Sequence, residues 1–292
     1  MIAVDLDGTL LNSQKRVSAE DAEALRAAAA RGVEIVPVTG RNFSTALPMV
    51  ENLLTSGPLI ASNGAIIRSK TGETFLRGLL PAGVAGEVLR ATRDVRAYTV
   101  LTYDQEGQGQ FRIEVPRNRG DGQAVAPPPD GVAASPWIQK YSAAVRFTES
   151  LERALDGDPV EIMFAGPVPL MREVAERLQN GETGTEMRFR LLRTEYPERD
   201  FAIMDVIRRD CSKGHAVEAW SRFRGIPPAE IMAIGDNYND LDMLRFAGVP
   251  IVMGNSEEAL KQQGWPVTLD CDSGGVARAV ERFVLGNRPF SQ

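Results

Sequence analysis

The 292-residue chain predicts an α/β fold: a parallel-sheet core interrupted by an inserted α+β module. Three observations lead there. Short apolar runs alternate with amphipathic stretches of helical period at both ends of the chain. Several of those runs close on acidic or Thr-Gly turns. Between residues 82 and 198 the rhythm changes to antiparallel-type strands mixed with helices. The two ends are therefore expected to form one domain, 1–81 with 199–292, and the middle, 82–198, another. The length suits about two domains.

The elements follow in order. Residues 2–4 read as a buried strand, and Asp5-Leu6-Asp7-Gly8 follows at once. Side chains two apart on an extended chain point the same way, so Asp5 and Asp7 are expected to project together. They would do so from the carboxyl end of the strand, where open α/β sheets bind ligands. Ser18, with Asp21 three residues on, caps a helix over 19–30, and Gly32 ends it. A strand over 33–38 closes on Thr39-Gly40-Arg41. A helix over 44–54 is weakened in its first turns by Pro48. A third strand, 58–62, ends in Asn63-Gly64, and 65–68 with 73–79 form a hairpin around Lys70-Thr71-Gly72.

The middle region reads as a helix over 82–96 and strands over 97–103 and 110–115. A Gly- and Pro-rich stretch over 116–136 reads as either a long functional loop or a partly disordered one. A helix over 148–155, a strand over 160–165 and a helix over 169–179 come next. Residues 187–191 alternate, with Arg188 and Arg190 on one face, and 201–207 is a further strand. The βαβ rhythm then returns. Helix 213–224 stops at Gly225, and strand 231–235 ends at Asp236. Helix 239–247, strand 249–253, helix 256–263, a short strand 267–269 and a closing helix 275–285 complete the chain.

Composition narrows the function. Net charge is −6 and the pI about 5.1. That argues against a nucleic-acid or anionic-membrane surface, although a metal or a few focused cations can still draw an anionic substrate. The two cysteines, Cys211 and Cys271, form no Cys-x-x-Cys pair and read as reduced packing residues of a cytoplasmic protein. His215 is the only histidine, which excludes a multi-histidine metal site. No apolar run approaches the ~18 residues of a membrane span. Two acids within the first seven residues are unlike a signal peptide.

Two like charges at positions 5 and 7 call for a divalent metal, a shared proton, or both. Asp236 ends a strand, while Asn239 and Asp240 open the next helix. If the sheet is parallel, these acids reach the edge that holds Asp5 and Asp7. Converging carboxylates with carbonyl and amide oxygens suit a hard ion such as Mg²⁺. The Thr39 hydroxyl and Gly40 amide are good phosphate donors. Lys213 starts a helix, where the dipole disfavors a cation, which makes sense if an anion sits in front of it.

Asp5-Leu6-Asp7-Gly8-Thr9, Thr39-Gly40-Arg41, Ser212-Lys213-Gly214 and Gly235-Asp236-Asn237-Tyr238-Asn239-Asp240, in that order, resemble the haloacid dehalogenase-like phosphohydrolase superfamily. Ala247-Gly248, Val252-Met253-Gly254-Asn255 and Gly275-Val276-Ala277 are similar to its Cof-type sugar-phosphatase subgroup. The resemblance implies a Rossmann-like core and, because 174 positions separate Thr39 from Lys213, an inserted cap of type IIB. It implies Asp5 as nucleophile, forming an aspartyl-phosphate, and Asp7 as general acid and base. Mg²⁺ would be held by the Asp5 carboxylate, the Asp7 carbonyl and Asp236, with Asp240 completing the acidic group and orienting it. Thr39, Gly40, Lys213, Asn239 and the Leu6 amide would bind phosphoryl oxygens. The implied substrate is a small phosphorylated metabolite, such as a sugar phosphate. A phosphomutase or phosphotransferase, or a non-catalytic phospho-ligand-binding regulator, are the alternatives. Arg41 is as well explained by surface exposure as by function. His215, Trp137, Arg188 and Arg190 read as packing or surface residues.

Overall fold

A computed structural model describes residues 1–53, 57–115, 128–180 and 188–286. The chain divides into two compact units, Met1–Arg77 with Cys211–Gln292, and Gly78–Asp210.

The first unit opens with β1 (Ile2–Asp5), α1 (Ala19–Ala30), β2 (Ile35–Val38), α2 (Phe43–Val50), β3 (Leu59–Ala61), β4 (Ile66–Arg68) and β5 (Thr74–Arg77). All four residues of β1 are buried, and so are all four of β2. Both faces of these strands are covered, which is why they read as continuous apolar runs and not as alternation. Helix α1 starts where Ser18 Oγ accepts the Asp21 N–H at 3.0 Å. The buried Asp21 carboxylate in turn accepts the Ser18 hydroxyl and the Ala277 N–H, tying the helix to the far end of the chain. Helix α2 keeps Pro48 inside it and ends at Val50, earlier than the 44–54 expected; residue 54 lies outside the described residues. The expected hairpin is β4–β5.

The second unit contains α3 (Ala82–Ala91), β6 (Thr99–Thr102), β7 (Phe111–Glu114), α4 (Pro136–Lys140), β8 (Val145–Thr148), α5 (Leu151–Ala154), β9 (Glu161–Gly166), α6 (Val168–Gln179), β10 (Phe189–Tyr196) and β11 (Phe201–Arg208). Its sheet runs β10-β11-β9-β6-β7-β8, antiparallel except for β7–β8. One core joins Val84, Val88, Ile162, Phe164, Met171 and Met204. A smaller one surrounds Phe111, against which Trp137 packs edge-on at 4.8 Å, so Trp137 is a packing residue.

Three expectations change here. The helix expected over 82–96 ends at Ala91, where Thr92 Oγ1 donates to Val88 O at 2.8 Å and a 3-10 turn takes over. Strand β8 was not anticipated; Arg146 and Phe147 are exposed at the sheet edge, so no buried periodicity marks it. β10 and β11 pair along their whole length, from Phe189↔Arg208 to Tyr196↔Phe201. The boundary expected at 198/199 falls in the turn between them, and the unit continues to Asp210. Residues 116–127 of the expected loop, and Met187, lie outside the described residues.

The chain returns to the first unit with α7 (Lys213–Arg224), β12 (Met232–Gly235), α8 (Leu241–Phe246), β13 (Val249–Val252), α9 (Glu258–Lys261) and α10 (Gly275–Val280). The seven-stranded sheet runs β13-β12-β1-β2-β3-β4-β5, parallel from β13 through β3. The chain order reverses between β1 and β12, which makes that crevice the switch point of the sheet. The ends of β1, β2 and β12 therefore deliver Asp5, Thr39 and Asp236 to one edge. Ala3, Val36, Ile60, Val217 and Ala233 fill the core beneath. The strand expected at 267–269 reduces to one bridge, Val252↔Val267. The closing helix continues past Val280 as a π-turn, Glu281–Leu285. Among the described residues, no helix is long and apolar enough to cross a membrane.

Candidate active site

Helix α7 is set by its first three residues. Ser212 Oγ accepts the His215 N–H at 3.1 Å as the cap. Gly214 lies so close to the backbone of Asp242 and Met243 that a Cβ would collide there. The start of α7 is thus pressed against the start of α8, and Lys213, the first helical residue, is directed at the turn Tyr238–Asp240. Its ammonium donates to Asp240 Oδ1 and to Asp5 Oδ1, each at 2.6 Å. All three side chains are buried.

Asp240 organizes the turn that follows β12. Its Oδ2 accepts the N–H groups of Asp236 and Asn237, both at 3.1 Å, in a capping box with Asn237. Gly235 is needed beside it, because a Cβ there would overlap the Asp240 carboxylate. Asp236 accepts the Thr9 hydroxyl at 3.1 Å. Gly8, at φ +86°, lets the chain after β1 pass against Asp236 where any side chain would strike it. Asn255 steadies that passage, donating to Gly8 O at 2.8 Å and accepting the Cys271 N–H at 3.0 Å.

Oxygens of Asp5, Asp236 and Asp240 lie within 4.8 Å of one another. Three carboxylates face one ammonium. Burial pushes the Asp5 carboxyl well above its usual range; Lys213 opposes the rise, and the charges of Asp240 and Asp236 add to it. Asp236 is raised to about 7, by burial first and by Asp240 second. Lys213 is raised despite its burial, because Asp240 and Asp5 outweigh the desolvation. Such a cluster fits a hard divalent cation. Asp5 and Asp236 are its natural donors, since both Asp240 oxygens are already taken by Lys213 and the turn amides.

The Asp7 carboxylate stands apart from this cluster. Arg41 grips it with two donors, Nε at 2.5 Å and Nη2 at 2.7 Å, and Lys15 Nζ adds a third at 2.8 Å. Burial opposes ionization, but these cations win and hold Asp7 at about 2. The Asp7 carboxylate is thus paired with Arg41 and Lys15, and that of Asp5 with Lys213.

Thr39 is buried at the end of β2 and accepts the Arg41 N–H at 3.1 Å. Gly40 packs so that a Cβ would meet Asn63 Oδ1 at 3.0 Å. The Leu6 side chain is buried, and its carbonyl accepts the Leu11 N–H. Asn239 is half-buried in the Tyr238–Asp240 turn, with no hydrogen bond to the cluster among the described residues. His215 is exposed, and Arg188 pairs with Glu87 on the second unit. Sequence reasoning gave no role to Thr9 or Lys15 and left Arg41 undecided. Thr9 and Arg41 sit inside the motifs; Lys15 carries no such signal.

The profile of the haloacid dehalogenase-like hydrolase family matches residues 2–280. Phosphatase YwpJ of Bacillus subtilis is 28% identical over 97% of this chain and 99% of its own. The 5-amino-6-(5-phospho-D-ribitylamino)uracil phosphatase YwtE of the same organism is 26% identical, over 98% of each chain. A solved structure described as a subclass IIB sugar phosphatase of this superfamily superposes with a TM-score of 0.74. It is 22% identical and covers 97% of this chain and 98% of its own, a likeness of fold.

Proposed function

The chain belongs to the haloacid dehalogenase-like hydrolases, and from that premise we propose that it is a Mg²⁺-dependent phosphatase of a small phosphorylated metabolite, acting through an aspartyl-phosphate on Asp5. The observation that carries this reading is the buried bridge of Lys213 between Asp5 and Asp240, with Asp236 alongside, at the switch point of a parallel sheet. The names of relatives that act on phosphorylated metabolites support the substrate class.

In this mechanism an Asp5 oxygen attacks phosphorus as the bond to the leaving oxygen breaks, and that oxygen is protonated through Asp7, which first takes a proton from solvent because Arg41 and Lys15 hold its resting carboxylate ionized. Water then attacks the same phosphorus, giving its proton to Asp7, and the Asp5–phosphorus bond breaks to release phosphate. Lys213 holds Oδ1 of Asp5, which leaves the second oxygen for attack, and it balances charge as negative charge develops. The Thr39 hydroxyl, the Leu6 and Gly40 amides and the Asn239 side chain are assigned to the phosphoryl oxygens. Asp240 acts through Lys213 and the turn amides it holds. The Asp5 and Asp236 carboxylates with the Asp7 carbonyl would hold Mg²⁺, which when bound supplies charge neutralization to the phosphoryl group. Asp7 in its paired, ionized state is in the form required for the water step. We assign the second unit, inserted between Thr39 and Lys213, as a type IIB cap. Two free cysteines support placement in a reducing cytoplasm.

The test is phosphate release from a panel of phosphorylated metabolites, with Mg²⁺ or with EDTA, for wild type beside Asp5→Asn. Release by wild type alone, abolished by EDTA, is expected. Turnover by Asp5→Asn close to that of wild type would remove Asp5 as nucleophile. Transfer of phosphate between sugar hydroxyls without net release would make the protein a mutase.

A further inference from the structure

The loop between β1 and α1 folds back on itself. Leu11 bridges Val17, Asn12 N–H donates to Arg16 O at 3.0 Å, and Lys15 N–H donates to Asn12 O at 2.8 Å. The Asn12 side chain fills the turn by accepting the N–H groups of Gln14 and Arg16. Asp272 Oδ1 accepts the Ser13 N–H from outside. At the tip, Lys15 adopts φ +59°, a left-handed conformation that is strained for a residue bearing a side chain. Glycine or asparagine is the usual occupant of such a position. A lysine there gives up backbone comfort, and what it gains is its ammonium on Asp7 Oδ1 at 2.8 Å.

Arg41 already meets both oxygens of that carboxylate from the β2 side. The added contact from Lys15 comes from a different loop. The two Arg41 donors set the plane of the carboxylate, and Lys15 adds a third contact on Oδ1 that opposes its leaving that pose.

We infer that Lys15 is a positioning residue: the strained turn 12–16 delivers its ammonium to Asp7 so that the carboxylate keeps one orientation toward the leaving oxygen. This rests on the proposed phosphatase reaction, in which Asp7 moves the proton. Lys15 is more than half exposed, so its removal takes away no core packing.

The test compares wild type, Lys15→Met, Lys15→Arg and Lys15→Gly on an alkyl phosphate and on p-nitrophenyl phosphate, both with Mg²⁺. The aryl oxide leaves as a stable anion and needs no proton; the alkoxide does. Lys15→Met is expected to lower kcat/KM, which reports the steps up to departure of the leaving oxygen and not the water step common to both esters, at least tenfold on the alkyl ester and less than threefold on the aryl ester, and Lys15→Arg to regain most of the loss. Lys15→Gly relieves the left-handed strain, so it should match or exceed wild type in unfolding midpoint while sharing the alkyl-ester loss. An equal loss on both esters, or none on either, would overturn the inference with the phosphatase reading intact. A wild type that releases phosphate from neither ester overturns that reading and the inference with it.

Discussion

Lys213 Nζ lies 2.6 Å from Asp240 Oδ1, and both side chains are closed off from water. The lysine starts one helix and the aspartate ends the turn before another, so the contact depends on the close approach of α7 and α8 at Gly214. An ion pair this deep is a weak net contributor while intact, but breaking it leaves an uncompensated buried charge.

Lys213→Met should therefore cost about 3–5 kcal/mol of stability. Three carboxylates would then face one another with no cation, so added Mg²⁺ should stabilize the variant more than it stabilizes wild type. Denaturant unfolding with and without Mg²⁺ reads both effects. A loss below ~1 kcal/mol would mean that water reaches the cluster.

The metal-free protein should lose stability as pH rises from about 4 to 7. Asp236, raised from 3.8 to about 7, keeps a proton in the folded state where the unfolded chain has released it. Its contribution is full below the unfolded value and is lost as pH climbs through the folded one, by up to ~1.4 kcal/mol per pH unit for each proton. Asp7 runs the other way: held at about 2, its contribution is present above 3.8 and lost only as pH falls through 2. Unfolding midpoints in EDTA across this range should fall for wild type and fall less for Asp236→Asn. Saturating Mg²⁺ should flatten the wild-type slope, because the ion binds the deprotonated carboxylates.

Gly8→Ala tests the passage between β1 and Asp236. The φ of +86° alone costs an alanine about 1–2 kcal/mol, and the new methyl group meets the Asp236 carboxylate. The variant should lose that stability and bind Mg²⁺ at least tenfold more weakly by calorimetry. Weakened stability with unchanged Mg²⁺ binding would show that Asp236 had room to move without leaving the ion.

Much of the core was legible because its signals are local. The helix read at 213–224 is observed over those residues, since Ser212 caps it by hydrogen bonding and Gly225 ends it at φ +69°. Buried strands β1 and β12 announce themselves as apolar runs ended by an aspartate. Strand β8 gave no such signal, because two of its four side chains face water. The boundary near 198 was misplaced because β10 and β11 belong together by pairing, which no single strand reveals.

The site divides along the same line. Residue type and order were enough to name Asp5, Asp7, Thr39, Lys213, Asp236 and Asp240, because strand ends in a parallel sheet carry their side chains to a common edge. The partners were not readable. Lys213 joins Asp5 to Asp240, while Arg41 and Lys15 take Asp7 out of that cluster. Those pairings span separations of 208, 34 and 8 residues for Lys213–Asp5, Arg41–Asp7 and Lys15–Asp7. Sequence alone determined which charges arrive at the edge. Which charge neutralizes which was decided by strand order, by the approach of two helices at a glycine, and by one left-handed turn, because ion pairing depends on distances of a few ångströms that only the assembled fold sets.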